Sequence, residues 1–119
     1  MLKHNFRNLK IWKDGVDLAK DIYIITQTFP NEHKFGLSSQ LYRCAVSIPS
    51  NIAEGSGRGS PKEFAQFLKI SLGSAFELET QLVIGQTCQL IPGGVFDQQI
   101  EVVQTLQRQI AAFIKTIEV

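Results

Sequence analysis

The stretch SIPSNIAEGSGRGSPKEF, residues Ser47 to Phe64, separates two helices and so sets the layout of the chain. Three glycines at alternate positions, from Gly55 to Gly59, end the first of these helices, because glycine readily adopts the left-handed conformation found at helix ends. Ser60 then opens a capping box, with a proline at the first helical position and Glu63 reaching back to the cap. The stretch therefore predicts one helix ending near Glu54 and another beginning just after Ser60.

The rest of the chain divides at similar signals. Asn8 is the expected N-cap of a first helix that runs to about Phe29, just before a proline. A second helix begins near Leu37, the third runs to about Leu90, where IPGG ends it, and a fourth runs from about Val95 to the C-terminus. No segment alternates with period two for long enough to be a strand. Residues 1–119 are therefore expected to form one all-α domain, an antiparallel up-down-up-down four-helix bundle.

Two of these helices have the apolar face of an ordinary amphipathic helix. In the second helix that face consists of Leu37, Leu41, Cys44, Ala45, Ile48 and Ile52. In the fourth it consists of Ile100, Val103, Leu106, Ile110, Phe113 and Ile117.

The first and third helices carry more apolar surface than a single bundle needs. The first has one stripe of Leu9, Trp12, Val16, Ala19 and Tyr23, and a second stripe of Ile11, Leu18, Ile22, Ile25 and Phe29. The third has a face of Phe64, Leu68, Ala75, Leu78 and Leu82, which Leu72, Phe76 and Val83 extend around the helix. Such a surplus either meets another subunit or remains as scattered exposed side chains, which proteins tolerate. We expect a homo-oligomer.

Polar residues line another face of the second helix. Ser47, Ser50, Asn51 and Glu54 follow one another at helical spacing, together with Gln40 and Arg43. This face is either a recognition surface for RNA or a protein partner, or a polar seam between helices or subunits. In the second interpretation Arg43 or Arg58 pairs with Glu54 or with Glu79, a carboxylate among apolar residues that needs a partner or a raised pKa.

The net charge of +1 gives no general argument for nucleic-acid binding, but the basic residues are unevenly distributed. The first 13 residues contain Lys3, Arg7, Lys10 and Lys13 and no acidic residue. Such an arm can meet phosphates or can simply be solvated. The start of the third helix, with Arg58 and Lys62 nearby, can likewise hold a phosphate, although Ser60 and Glu63 already satisfy its backbone groups.

No arrangement typical of an enzyme stands out. His4 and His33 offer no metal-ligand spacing, and no Ser–His–Asp or Cys–His set is indicated. We expect no catalytic residue, metal or cofactor. Cys44 and Cys88 are expected to be reduced, buried thiols of a cytosolic protein. The start of the chain lacks the apolar region of a signal peptide, and no apolar run is long enough to span a membrane.

Three blocks of the sequence resemble a known family. They are LKIWKDGVDLAKDIY from Leu9, FGLSSQLYRCAVSIPSNIAEGSGR from Phe35 and SPKEFAQFLKISLGSAFELETQL from Ser60. The chain resembles the four-helix bundle proteins encoded by intervening sequences within bacterial 23S ribosomal RNA genes. The same fold occurs in accessory variability proteins of diversity-generating retroelements. The middle block, with SIPSNIAEG and the following Gly-Arg, is the most specific.

The resemblance implies a barrel-like homopentamer of antiparallel bundles in the bacterial cytoplasm. It also implies binding of RNA or a ribonucleoprotein through basic surface residues, since the retroelement relatives bind RNA and reverse transcriptase. Those relatives tend to be strongly basic, whereas this chain is nearly neutral. Contact with phosphates would therefore fall to the amino-terminal cluster together with Arg43, Arg58, Lys62 and Lys69. The alternative is a self-assembly or protein-interaction module with no nucleic-acid role.

Overall fold

The chain forms four α-helices and two short 3₁₀ turns in a computed structural model that describes residues 5–118. No strand occurs among those residues, which confirms the all-α prediction. The helices are α1 (Lys10–Thr26), α2 (Leu37–Ser56), α3 (Pro61–Thr87) and α4 (Gly93–Glu118). None of these helices has an apolar stretch that could cross a membrane.

The start of α1 differs from the prediction. Asn8 is not its N-cap but the last residue of the 3₁₀ turn Phe6–Asn8, which Asn5 caps by accepting a hydrogen bond from the backbone N–H of Arg7 at 3.2 Å. The N-cap of α1 is Leu9, whose side chain makes no capping hydrogen bond. The prediction was wrong because an extra turn precedes the helix and occupies the backbone of Asn8.

Local hydrogen bonds also end α1 earlier than predicted. The helix ends at Thr26, not at Phe29, and the Thr26 hydroxyl donates to the carbonyl of Tyr23 at 2.8 Å. The N–H of Phe29 bonds to the carbonyl of Thr26, only three residues back, so the chain is already in a tighter turn before Pro30.

The N-cap predicted at Ser60 is confirmed, but the side chain of Glu63 does not bond to the backbone N–H of Ser60 as a full capping box requires. Ser60 Oγ accepts a hydrogen bond from the backbone N–H of Glu63 at 3.1 Å, which satisfies one of the unpaired donors of the first turn. The side chain of Glu63 reaches back as expected, but it contacts the Ser60 hydroxyl at 3.3 Å.

The other end of α3 is a Schellman motif, which the sequence did not reveal. The helix ends at Thr87 because Gln89 takes the left-handed conformation, with φ of 63°. The N–H of Leu90 then bonds to the carbonyl of Gly85, and the N–H of Gln89 bonds to that of Gln86, both at 2.9 Å. The usual residue at this position is glycine, so a glutamine there gave no sequence signal.

The four helices are arranged in a ring around one core. α1 and α3 each pack against both α2 and α4, and among the described residues no Cα atoms of α1 and α3, or of α2 and α4, lie within 8 Å of each other. The predicted faces of α2 and α4 point into the core, as does the main face of α3. In α1 the stripe of Ile11, Leu18, Ile22, Ile25 and Phe29 is buried, whereas in the other stripe Leu9, Trp12 and Ala19 are partly buried against the core and Val16 and Tyr23 are exposed.

Close contacts between helices explain why the stretch Ser47 to Phe64 contains Pro49 and Gly55 within α2. Pro49 lies within α2 and is buried against Gly15 of α1, where an added Cβ would lie 3.3 Å from the proline Cβ. Near the end of α2, a Cβ at Gly55 would lie 2.6 Å from the Cβ of Phe67 on α3. Gly55 therefore allows α2 and α3 to approach closely just before the chain turns between them.

Candidate functional site

The polar face of α2 is partly used in its contact with α3. Ser47 Oγ lies 2.6 Å from Ser74 Oγ of α3 and 2.9 Å from the carbonyl of Cys44. Beside this pair, the hydroxyl of Ser71 donates to the carbonyl of Ile48 at 2.9 Å, and that serine is fully buried. These bonds between the helices favour a structural role for Ser47.

The other residues on the polar face of α2 are exposed or make hydrogen bonds and ion pairs with nearby residues of the chain. Asn51 Nδ2 donates to the carbonyl of Ser47 at 2.8 Å, and Ser50 is exposed. Glu54 pairs with Arg58 at 3.5 Å, so one of the predicted ion pairs is present. Arg58 also lies over the ring of Phe67, 4.6 Å from its centroid.

Glu79 lies apart from this seam and faces α4. Its carboxylate accepts hydrogen bonds from Gln107 Nε2 at 2.8 Å and from Gln104 Nε2 at 3.1 Å. The predicted pairing with Arg43 or Arg58 is wrong, because Glu79 projects roughly 200° around α3 from Glu77, the carboxylate that does face α2. Two neutral amides from α4 therefore replace the expected arginine.

The two cysteines have different surroundings, which corrects the prediction that both are buried. Cys44 is buried, and its thiol donates to the carbonyl of Ser74 at 3.1 Å and lies 3.4 Å from Glu77 Oε2. Burial, together with the nearby Glu77 carboxylate, raises the pKa of the Cys44 thiol from 9.0 to about 12. Cys88 is exposed because it follows the last residue of α3, where the buried face of the helix has already ended.

Three of the basic residues predicted to contact phosphate are already ion-paired. Lys10 pairs with Asp14 at 2.6 Å, Lys69 pairs with Glu118 at 2.6 Å, and Arg58 pairs with Glu54 as described above. Exposed ion pairs of this kind are weak, but each reduces the local positive potential.

The remaining predicted basic residues carry free charges. Arg7, Lys13, Arg43 and Lys62 are exposed and make no ion pair with any residue between 5 and 118. They lie respectively in the first 3₁₀ turn, on α1, on α2 and in the first turn of α3. Lys3 lies outside the described residues.

Part of the predicted apolar surplus of α1 and α3 remains at the surface, whereas Leu9, Trp12, Ala19 and Leu72 pack against the core. Val16 and Tyr23 of α1 are 40% and 49% exposed, and Phe76 and Val83 of α3 are 53% and 44% exposed. Sequence reasoning missed further exposed apolar side chains, namely Ile24, Tyr42, Ile70, Ile84 and, in the loop before α2, Phe35. The exposure of Phe35 could not be predicted because a loop has no periodicity.

The geometry defines a protein of four helices in a ring, with polar bonds between neighbouring helices and apolar side chains left outside. In residues 5–118 no three His, Cys, Asp or Glu side chains come together as metal ligands. The chain belongs to the family described as 23S rRNA-intervening sequence protein, whose model matches residues 7–112. This confirms the resemblance noted in the sequence.

A solved structure has the same fold. It is the crystal structure of a protein with unknown function from the S23 ribosomal protein family of Bacteroides thetaiotaomicron, and it is 24% identical in sequence. The two structures align with a TM-score of 0.82 over 88% of this chain and 98% of the other. No curated protein matches the chain.

Proposed function

We propose that this protein is a non-enzymatic, oligomeric adaptor of the bacterial cytoplasm that binds RNA or a ribonucleoprotein. The observation that carries the proposal is the apolar surface that α1 and α3 leave exposed. The adaptor needs no catalytic residue, metal or cofactor.

The position of this apolar surface supports self-association. Phe76 and Val83 lie on α3, whereas Val16 lies on α1, and no Cα atoms of these two helices lie within 8 Å of each other in the described ring. Two different apolar surfaces on opposite helices favour a head-to-tail contact between copies, since a two-fold dimer would use a single self-complementary surface. Head-to-tail contacts can close into a ring. We propose five copies, the number that the family resemblance implies.

Contacts between neighbouring helices support the antiparallel up-down-up-down arrangement within each copy. In each pair of neighbouring helices, residues later in one helix contact residues earlier in the other, as antiparallel helices do. The pairs are Gly15 with Pro49 and Tyr23 with Tyr42 for α1 and α2, Ser47 with Ser74 and Gly55 with Phe67 for α2 and α3, and Phe64 with Phe113 and Glu79 with Gln104 for α3 and α4.

The nucleic-acid part of the proposal is supported by free positive charges and by the family. Arg43 and Lys62 are exposed and unpaired among the described residues, and a cyclic oligomer would repeat both in every copy. Repetition matters because several weak phosphate contacts made together bind far more tightly than one. The family name refers to 23S ribosomal RNA, which makes RNA the first partner to test.

Titration of a labelled, structured RNA at low and moderate salt tests this function. We expect binding in the micromolar range that weakens as salt rises, because phosphate contacts release counterions. Replacing Arg43 and Lys62 by glutamine should weaken binding and flatten the salt dependence. Replacing the already paired Lys10 and Lys69 by glutamine removes the same formal charge and should have a smaller effect.

The alternative is a self-assembly or protein-interaction module without a nucleic-acid role. Wild-type protein that forms the oligomer but shows no salt-sensitive RNA binding would leave this alternative standing and eliminate the adaptor function.

A further inference from the structure

One end of the bundle carries an aromatic pocket at the junction between α1 and α2. The pocket has a volume of about 430 Å³ and is lined on its aromatic side by Tyr23, Phe29, Phe35 and Tyr42. Tyr23 and Tyr42 lie next to each other, with ring centroids 5.5 Å apart and planes inclined by 60°. We call this site the aromatic pocket.

Phe35 is the most exposed large apolar side chain among the described residues, at 90%. It lies in a loop held by backbone hydrogen bonds, from Lys34 N–H to the carbonyl of Asn31 and from Gly36 N–H to that of His33, both at 3.1 Å. An ordered loop therefore presents the ring to solvent. Covering this ring removes apolar surface from water, so a ligand that packs against it is stabilised.

The remainder of the pocket lining is polar and has unused hydrogen-bonding capacity. Gln27, Asn31, Ser38 and Ser39 line it, and none of their side chains makes a hydrogen bond within residues 5–118. Their two amides and two hydroxyls offer donors and acceptors together. A purely apolar partner would leave these groups unsatisfied.

The charge of the pocket favours an anionic ligand. Lys34 is the one ionised side chain among the residues that line it, and no carboxylate lines it. The Lys34 ammonium lies 5.6 Å from the centroid of the Phe35 ring. Arg43, exposed and without an ion pair among the described residues, follows Ser39 by one turn of α2.

Flat exposed rings, unpaired amides and a cation together match the chemistry of a nucleotide. Single-stranded nucleic acids bind by stacking bases on aromatic side chains, while basic groups contact the phosphates. Unpaired RNA bases also present their edges to side-chain donors and acceptors. A protein surface would bury the same rings but would not require the unpaired amides beside them.

We propose that the aromatic pocket binds an unpaired base of single-stranded RNA. The base stacks on Phe35 and the neighbouring tyrosines, amides of Gln27 and Asn31 contact its edge, and Lys34 contacts the adjoining phosphate. This inference rests on the proposed RNA-binding function and names the site and the form of RNA that it takes.

The test uses the full-length protein and a fluorescein-labelled uridine decamer, with binding followed by fluorescence anisotropy. Phe35→Ala should weaken binding roughly tenfold, within the range that alanine substitution of a stacking ring produces. The salt dependence should stay the same, because the substitution removes no charge. Binding of a fully paired RNA duplex should not change, since its bases are not available for stacking.

Ile24→Ala is the matched control. Ile24 is 53% exposed and next to Tyr23 in the sequence, but it does not line the aromatic pocket. This variant should bind the decamer as the wild type does. The mass of each variant should be measured by light scattering in parallel.

Three results would overturn the inference. Equal decamer binding by the wild type and Phe35→Ala would show that the aromatic pocket is not the binding site, although the protein binds RNA. A reduced oligomer mass in Phe35→Ala would make the pocket a contact with a second copy. Wild-type protein that binds neither the decamer nor structured RNA would end the proposed function and the inference together.

Discussion

Cys44 and Cys88 show how strongly the position of a residue controls its chemistry. The Cys44 thiol is buried and faces the Glu77 carboxylate, which opposes formation of the negatively charged thiolate. Cys88 is exposed just beyond α3. Because the thiolate is the nucleophile that attacks a disulfide reagent, the two residues should differ greatly in reactivity.

We predict that an aromatic disulfide reagent at mildly alkaline pH modifies one thiol per chain rapidly and the other slowly. The fast reaction should disappear in Cys88→Ser, which keeps Cys44 as its remaining cysteine. Absorbance of the released thiol measures both rates. Equal rates for the two cysteines would contradict the buried position of Cys44.

From the raised pKa of Cys44 we also predict that the protein loses stability in alkali. The folded pKa of Cys44, about 12, lies above the unfolded value of 9.0, so its contribution to stability is fully present below pH 9. That contribution is lost as pH rises toward 12, because the unfolded chain releases the proton first. The comparison is with Cys44→Ala, which differs from the wild type only at this thiol. The wild type should lose stability more steeply than this variant between pH 9 and 12, as measured by chemical denaturation.

At the scale of the helices, local sequence signals placed the boundaries within about three residues of those in the structure. Ser60 and the Gly55–Gly59 stretch placed the α2–α3 connection to within two residues, but α2 continues through Gly55 to Ser56 and no glycine among the described residues takes the left-handed conformation that was expected to end it. Asn8 was wrongly predicted as an N-cap, and the conformation of Gln89 was not predicted. The first is used by a preceding turn, and the second takes a left-handed conformation that its residue type rarely adopts.

Contacts between helices were harder to predict than the helices themselves. Glu79 accepts hydrogen bonds from Gln104 and Gln107, and Ser47 bonds to Ser74. These pairs depend on how one helix is rotated and shifted along its neighbour. No local pattern contains this information. The aromatic pocket was missed for the same reason, since it joins residues of two helices to Phe35 in the loop between them.

The close approach of α2 and α3 leads to a prediction on two glycines. Gly55→Ala should destabilise the fold by about 1–3 kcal/mol, because the new methyl group would lie 2.6 Å from Phe67 Cβ, which cannot rotate away. Gly73→Ala should stabilise it by about 1 kcal/mol, because Gly73 lies within α3 with nothing within 4 Å of the added Cβ. Urea unfolding at one fixed protein concentration measures both, and a neutral Gly55→Ala would contradict the close contact.

At the scale of the whole molecule, the fold of one chain does not explain why apolar side chains of α1 and α3 are exposed. The core takes the apolar residues that one bundle can enclose, and Val16, Phe76 and Val83 remain outside. The sequence predicted this surplus from the width of the apolar faces on α1 and α3. Which copy covers which face depends on the assembly, and periodicity alone does not specify it.

Light scattering of the purified protein during size-exclusion chromatography tests self-association most directly. At micromolar concentration we predict a particle of about five times the 13.3 kDa mass of one chain. Replacing Phe76 and Val83 by serine should lower that mass, whereas Phe35→Ala should not. A wild-type particle of 13.3 kDa under these conditions would contradict the assembly.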